Sequence, residues 1–313
     1  MTLDKASPRP DTRTLLAFAV VVVLLGVNFV AVRFSNAELA PFWGSGVRFA
    51  FAAAALLLLT FIRHVPLPRE GTLRSSVAYG ALAFGLTYAL VYWGILAVPS
   101  GVASVIFASI PLSTFVLALL LKMETFRMAG LAGASLALVG ITVVSYAQLS
   151  GKIALLPVLA VIASSFTAAG AGIVVKRAPK SHPLSTNAVA MAVGAAMLLT
   201  LSLLAGEPKG VPSLAATWIA FAWLVTSSIV AFSLFIWILK RWTASAASYQ
   251  TVLSPLVTIA VASMLVAEPL TISLAAGAGL VLGGVFLGAI WRRGPRTGRP
   301  APTGSAEPTR PPR

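Results

Sequence analysis

The sequence repeats itself at an offset of 144 residues, and this repeat constrains the fold more than any other feature. Residues 93–140 align with residues 237–284 without a gap, and 15 of the 48 aligned pairs are identical. The identical pairs include Ala103/Ala247, Ser104/Ser248, Pro111/Pro255, Thr114/Thr258, Glu124/Glu268, Gly133/Gly277, Leu136/Leu280 and Gly140/Gly284. Apolar composition alone does not explain identities at proline, glutamate and glycine. The chain is therefore interpreted as two copies of one module.

The module is hydrophobic enough to lie in a lipid bilayer. Hydrophobic residues make up 58% of the chain and charged residues 10%, and about 20 apolar residues span a bilayer as a helix. Ten such stretches are predicted, at 13–33, 42–62, 73–97, 101–121, 126–147, 153–176, 184–206, 214–239, 244–266 and 271–291. The short connections leave no room for a soluble domain. The predicted fold class is an all-α integral membrane protein with ten transmembrane helices.

The positive charge of the chain indicates topology rather than nucleic-acid binding. The net charge is +15. When the connections are assigned alternately to the two sides, 19 Lys and Arg residues fall on the side of the N-terminus and 3 on the other. Such a bias marks the cytoplasmic side. We expect a plasma (inner) membrane protein with both termini in the cytoplasm.

Each copy contains five predicted spans, so the second copy enters the membrane from the opposite side. The predicted organisation is a cytoplasmic segment at 1–12, a first repeat at 13–147, a second, inverted repeat at 148–291 and a disordered basic cytoplasmic tail at 292–313. Inverted repeats around a central cavity can exchange conformations, which opens the cavity to each side in turn. This arrangement favours a carrier.

The identical residues of predicted helices 4 and 9 fall on one arc of each helix. Because a lipid-facing surface needs only to be apolar, a preserved small and polar arc indicates a cavity or a close helix contact. Pro111 and Pro255, near mid-membrane, are hinge candidates, although most such prolines make static kinks. Small residues on helices 5 and 10 predict close packing inside the chain more than a dimer face, and we expect a monomer.

Catalytic and metal chemistry find no support in the sequence. The predicted spans contain no Asp or Glu at mid-depth, which disfavours a proton relay and a site for cationic drugs. His64 and His182 lie in predicted loops, and cysteine is absent. No cluster of metal ligands and no nucleophile–base pair is evident. We expect neither enzyme activity nor a cofactor or metal.

Polar and aromatic residues within the predicted spans indicate an uncharged cavity for a small polar or zwitterionic molecule. The candidates are Asn28, Tyr88, Tyr92, Trp93, Ser104, Phe107, Ser164, Ser165, Phe166, Trp237, Ser248, Tyr249 and Gln250. Arg48 is the one ionic residue placed within an apolar stretch. It either meets a substrate carboxylate, or it has a structural role in which it extends to the interface or binds backbone carbonyls.

Four segments of the sequence carry a family resemblance: Gly26 to Ala31 in helix 1, Arg48-Phe49, and the blocks from Pro111 to Gly140 and from Pro255 to Gly284. On these residues the chain resembles the EamA family of the drug/metabolite transporter superfamily. The resemblance implies exporters of amino acids and related metabolites, built from ten helices around a central cavity that helices 1, 3, 4, 6, 8 and 9 line. The YddG-type amino-acid exporters are a plausible neighbour.

The leading hypothesis is a broadly specific exporter of amino acids or similar metabolites, with membrane lipid as its surroundings. An alternative is efflux of neutral aromatic or drug-like compounds, suggested by the aromatic residues of helix 3. A membrane scaffold without transport and a channel are further alternatives.

Overall fold

The computed structural model describes residues 11–122, 128–149, 155–179, 181–239 and 244–287, and its regular structure there is entirely helical. This confirms the all-α class. The α-helices are α1 (Thr12–Ser35), α2 (Pro41–Ile62), α3 (Glu70–Gly80), α4 (Thr87–Ile95), α5 (Ser100–Phe107), α6 (Ile110–Leu120), α7 (Met128–Leu149), α8 (Leu155–Arg177), α9 (Pro183–Leu204), α10 (Ala215–Leu239), α11 (Ala244–Leu265) and α12 (Ile272–Val285). A π-helical segment, Ala81–Leu86, joins α3 to α4.

Seven segments of the described chain are long and apolar enough to cross a membrane. They are Thr12–Ser35, Pro41–Ile62, Glu70–Ile95, Ser100–Leu120, Leu155–Arg177, Pro183–Leu204 and Ala215–Phe235. Helices α7, α11 and α12 lie at the other three predicted positions. The total of ten spans and the side on which each begins remain predictions.

Helices α1 and α12 begin where the local sequence supplies a cap. Asp11 accepts a hydrogen bond from the backbone N–H of Thr14 at the start of α1, with an N–O distance of 3.0 Å. Thr271 accepts one from Leu274 at the start of α12, at 3.1 Å. These side chains satisfy amides that have no partner within the helix. The starts of these two helices therefore follow from local sequence.

The contacts between helices are symmetric under exchange of the two repeats. Helix α2 packs against its counterpart α9, and α7 packs against its counterpart α12. The first helix of each repeat contacts the third and fourth helices of the other: α1 packs against α10 and α11, and α8 packs against α4 and α6. A two-fold relation between two similar bodies produces such a pattern.

Four glycines form the contact between α7 and α12, and the contact is reciprocal. A methyl group at Gly140 would lie 2.7 Å from the carbonyl oxygen of Gly277, and one at Gly284 would lie 2.5 Å from that of Gly133. At these distances only glycine fits, so the two backbones meet directly. The small residues of these helices thus serve a contact inside the chain.

Predicted helix 4 is interrupted, whereas its counterpart is continuous. The break at Ala108–Ser109 separates α5 from α6, and the Ser109 hydroxyl donates to the carbonyl of Ile106 at 2.7 Å. Pro111 follows in the first turn of α6. The equivalent Pro255 lies inside α11, which runs through it. The two prolines therefore stand in different backbone settings.

Candidate functional site

A cavity with about 630 Å³ of empty space, including the part at its mouth, lies among helices of both repeats. The first repeat contributes α1, α2, α4 and α5, and the second contributes α11. The lining residues are Leu25, Asn28, Phe29, Val32, Arg48, Thr87, Tyr88, Val91, Ser104, Phe107, Ala108, Thr251, Ser254 and Pro255. Among the described residues, α8 and α10 contribute none. This differs from the lining that the family resemblance implies, which includes helices 6 and 8.

Most of the cavity wall is apolar. Phe29 on α1 and Phe107 on α5 meet edge to face, with ring centroids 5.6 Å apart. Tyr88 lies on the neighbouring α4 and also lines the cavity. Aromatic rings supply large apolar contact area at fixed geometry. The wall suits a ligand with an apolar or aromatic part.

Arg48 is fully buried, yet it lines the cavity. Its Nε donates to the carbonyl oxygen of Leu224 at 3.1 Å and to the Ser228 hydroxyl at 3.0 Å, both on α10. Its Nη1 donates to the Tyr92 hydroxyl at 3.0 Å. Arginine stays protonated in proteins, so the expectation of an uncharged cavity is wrong. The side chain does not extend to the interface, because α10 and α4 hold it inside the bundle.

Two aromatic rings flank the Arg48 guanidinium. Its Cζ lies 5.0 Å from the ring centroid of Phe49 and 5.2 Å from that of Tyr88. The two rings meet edge to face at 4.6 Å. The negative face of an aromatic ring attracts a cation. This contact fixes the position of the charge without neutralising it.

Asn28 is the polar residue that α1 presents to the cavity. Its Oδ1 accepts hydrogen bonds from Trp223 Nε1 at 3.1 Å and from the Ser227 hydroxyl at 2.8 Å, both on α10. These two bonds occupy the carbonyl side of the amide. What the amide can still offer a ligand is the NH₂ group, a donor.

The serines of the lining donate to their own helices. The Ser104 hydroxyl donates to the carbonyl of Gly101 at 2.7 Å, and the Ser254 hydroxyl donates to that of Gln250 at 2.6 Å. A hydroxyl that donates its hydrogen bond to the backbone can still accept a hydrogen bond through its oxygen. These residues therefore present neutral oxygen acceptors.

The structure places some of the predicted cavity residues in the lining and others elsewhere. Asn28, Tyr88, Ser104, Phe107 and Arg48 line it. Tyr92, Trp93, Ser164, Ser165, Phe166, Trp237 and Gln250 are not among the lining residues, and the side chains of Ser248 and Tyr249 lie outside the described part of the structure.

Of the predicted residues of helix 6, Ser165 bonds to a neighbouring helix, and Ser164 bonds within its own helix. Ser165 shares a hydrogen bond with Ser113 on α6, with oxygens 2.9 Å apart, and Ser164 donates to the carbonyl of Val161 at 2.6 Å. Phe166 points outward, with 38% of its surface exposed. The polar segment at the centre of α8 is thus satisfied by neighbouring protein.

Several lining residues were missed by the sequence analysis. Phe29 directly follows Asn28. Leu25 and Val32 lie three and four positions from Asn28, so these two share its helix face. Extending that face along α1 would have found them. Thr251 directly follows the candidates Ser248, Tyr249 and Gln250, and that polar run already indicates it. Ser254 has no comparable marker, because it lacks an identical counterpart in the first repeat.

At one end of the bundle, three glutamates each bond to the start of a distant helix. We name this end the carboxylate end. Glu268 accepts from the backbone N–H groups of Ser100 at 2.9 Å and Gly101 at 3.0 Å, where α5 begins. Arg33, at the end of α1, pairs with the same carboxylate at 3.1 Å. A carboxylate at a helix N-terminus satisfies free amides and complements the helix dipole.

Glu207 and Glu38 bind the starts of α2 and α10 in the same way. Glu207 accepts from the backbone N–H of Trp43 at 2.8 Å. Glu38 accepts from the hydroxyl and N–H of Ser213 and from the N–H of Leu214. The Ser213 hydroxyl, followed by that of Thr217 and the Leu214 amide, lowers the pKa of Glu38 from 4.5 to about 2. The carboxylate end thus ties the two repeats together.

The EamA-like transporter family matches this chain twice, over residues 12–146 and 155–289. The chain belongs to the EamA-like transporter family. The two matched ranges cover most of the chain and reproduce its internal repeat. It is therefore a transporter of this family, with a small-molecule substrate and membrane lipid around it.

Individual proteins are similar to this chain over nearly their whole length. An uncharacterized transporter of Archaeoglobus fulgidus is 28% identical over 87% of this chain and 97% of its own. A probable amino-acid metabolite efflux pump of Salmonella typhimurium is 26% identical over 89% of this chain and 95% of its own. A second probable amino-acid metabolite efflux pump, from Escherichia coli, is 24% identical over 89% of this chain and 96% of its own.

A solved crystal structure supports the fold. The alignment covers 89% of this chain and 98% of the solved chain, with a TM-score of 0.62 and 18% sequence identity. At this identity the likeness concerns the fold alone. The EamA-like helical bundle described above therefore has an experimentally determined counterpart.

Proposed function

We propose that the chain exports amino acids or related small metabolites by alternating access and accepts a broad range of them. The observation that carries the proposal is a cavity that helices of both repeats build together, with an apolar wall and a few buried polar groups. Two similar proteins are named as probable amino-acid metabolite efflux pumps. We place the transporter in the inner membrane with both termini in the cytoplasm.

The two repeats are proposed to lie in opposite orientations in the membrane. An odd number of predicted spans per repeat requires it. The exchange-symmetric helix contacts and the reciprocal α7–α12 contact support a two-fold relation between the repeats. A two-fold axis in the membrane plane lets each repeat adopt the conformation of the other, which moves the opening of the cavity from one side to the other.

We propose that the interrupted helix, formed by α5 and α6, and the continuous helix α11 exchange their conformations during transport. In this conformation α5 and α6 are separated at Ala108–Ser109, next to Pro111, whereas α11 runs through Pro255. In the alternate conformation α11 would bend at Pro255 and the first repeat would straighten. Pro111→Ala and Pro255→Ala should therefore slow exchange more than they alter substrate affinity. Rates and affinities that both stay at wild-type values would exclude the hinge role.

The main test is a transport assay with the purified full-length chain in liposomes. We expect labelled amino acids inside the vesicles to exchange with unlabelled ones outside, measured with and without a proton gradient. Ser104→Phe, which fills the cavity, should abolish exchange. Thr200→Leu adds apolar volume at an exposed position of α9 and should leave exchange unchanged. A broad panel without exchange would point to a scaffold, and flux that neither saturates nor responds to substrate on the far side would point to a channel.

A second candidate function is efflux of neutral aromatic or drug-like compounds. The edge-to-face pair of Phe29 and Phe107 in the cavity wall favours it. Neutral aromatic compounds should then be transported and should displace amino acids. If they inhibit amino-acid exchange without being carried, the first proposal stands.

A further inference from the structure

We infer that Arg48 binds a carboxylate of the substrate and that the cavity recognises small monocarboxylates with an apolar side chain, whether or not they carry an amino group. This rests on the proposed transport function and narrows it. Amino acids would be accepted as one kind of such carboxylate. The inference also predicts that 2-oxo, hydroxy and deaminated analogues are accepted.

The first observation is an arginine whose hydrogen bonds are incomplete. Nε and Nη1 of Arg48 have partners on α10 and α4, but Nη2 is buried and has no partner in the described structure. The partners that are present are a carbonyl oxygen and two hydroxyls, all neutral. A buried cation without a counter-charge is costly, and the cost falls when an anion binds.

The second observation concerns the other polar groups of the cavity. No Asp or Glu is among its described lining residues. Asn28 has both of its described bonds on Oδ1, so its amide offers donors to a ligand, as the guanidinium does. Two donor groups and one positive charge match a carboxylate.

An ammonium group finds a much weaker site. The acceptors on the cavity wall are neutral hydroxyl oxygens, such as those of Ser104 and Ser254. A cation near Arg48 would also be repelled at short range in a medium of low dielectric constant. The amino group of an amino acid is therefore tolerated through contact with solvent and neutral oxygens, and it adds little to binding.

Tyr88 controls access to Arg48. Nη2 is shielded from solvent, and the Tyr88 ring lies 5.2 Å from Cζ while lining the cavity. A carboxylate reaches the guanidinium when this ring turns aside. The apolar part of the ligand then lies against Phe29 and Phe107.

The test is direct binding to the purified full-length protein by isothermal titration calorimetry. The probes share one phenyl group: 3-phenylpropionate, L-phenylalanine, L-phenylalaninamide and 2-phenylethylamine. We expect 3-phenylpropionate and phenylalanine to bind with similar affinity, and both to bind at least about tenfold more tightly than the two compounds that lack a carboxylate. Equal binding of all four, or preference for the amines, would overturn the inference.

Variants assign the effect to Arg48. Arg48→Gln should weaken 3-phenylpropionate binding by about 30-fold and leave 2-phenylethylamine binding unchanged or improved. Arg48→Lys keeps the charge and should restore part of the preference. Arg63→Gln removes the same charge from an exposed position at the end of the same helix, so it should bind like the wild type. If neither Arg48 variant folds, the four wild-type affinities still decide the matter.

Binding and transport can fail separately. If the carboxylate preference is present but no probe is exchanged in liposomes, the anion site stands and the transport proposal falls. If phenylalanine and 2-phenylethylamine are exchanged equally well and bind equally well, transport stands and the anion site falls.

Discussion

Helices α1 and α8 open the two repeats at equivalent positions, yet the equivalent glycines of the two helices differ: Gly26 is tightly packed and Gly170 is open. Gly26 of α1 lies against α11, where a methyl group would come within 2.6 Å of the Val257 Cβ. The Thr258 hydroxyl donates to the Gly26 carbonyl at 2.7 Å. The equivalent Gly170 of α8 is open: a methyl group there would have the Leu82 Cδ1 as its nearest described neighbour, at 3.8 Å.

The connections that follow the two helices differ in the same sense. Glu38, after α1, bonds to the start of α10 in the other repeat. The side chain of its equivalent, His182, accepts from the backbone N–H of Leu184 at the start of its own helix, at 3.3 Å. Two modules of common sequence pattern thus make unequal contacts in one conformation.

The largest expected effect is at the two glycines. Gly26→Ala should destabilise the protein by about 1–3 kcal/mol, because the new methyl group meets the Val257 side chain and the Ser254 carbonyl. Gly170→Ala has room and should be neutral, or stabilising by up to about 1 kcal/mol through helix propensity. Thermal unfolding of both variants in detergent measures this. Equal losses of stability in the two variants would show that Gly26 and Gly170 are packed equally tightly.

Next in size is the cap at the carboxylate end. Glu268→Ala removes the acceptor for the Ser100 and Gly101 amides and should cost about 0.5–2 kcal/mol. Arg33→Ala removes only an ion pair whose arginine is 42% exposed, and should cost less than about 1 kcal/mol. The same unfolding assay compares them. A larger loss for Arg33→Ala would mean that charge pairing rather than capping fixes the end of α1.

The two threonines offer a smaller contrast. Thr258→Val removes a hydrogen bond to another helix and should cost about 0.6 kcal/mol, a typical value inside membranes. Thr114 donates to Ile110 within its own helix at 2.9 Å, so Thr114→Val should be close to neutral. Chemical unfolding in mixed detergent resolves the difference. A reversed order would show that α6 depends on Thr114 in a way the contacts do not reveal.

The smallest effect is a pH dependence from Glu38. The pKa of Glu38 is about 2 in the folded protein, against an ordinary value of 4.5. Its contribution to stability is therefore complete above pH 4.5. That contribution disappears as the pH falls from 4.5 towards 2. In the Glu38→Gln variant, the unfolding midpoint should therefore depend less on pH between these two values. An unchanged slope would show that the carboxylate does not hold the α1 connection in solution.

Much of the fold followed from the sequence, because a run of about 20 apolar residues has few alternatives to a helix. The offset of 144 residues also indicated which helices are equivalent. Part of the cavity was predictable for the same reason: Asn28, Tyr88 and Ser104 are polar residues deep within predicted spans.

The rest of the cavity could not be predicted, because it depends on which neighbour each helix face meets. Ser165 looks like a cavity residue in sequence, but Ser113 of α6 satisfies it. The sequence left both a substrate role and a structural role open for Arg48, and only the positions of α10 and α4 show that its side chain is held inside the bundle. A single chain in one conformation also breaks the equivalence of the repeats, so Pro255 lines the cavity while its equivalent Pro111 does not.

The reciprocal meeting of Gly140 with Gly277 and of Gly284 with Gly133 bears on the ancestry of the chain. A surface that fits its own duplicate in this way would have let two separate copies of a five-helix protein assemble before one gene encoded both. Fusion then needed only a linker. It also freed each copy to diverge, so that an arginine kept in one half need have no twin in the other.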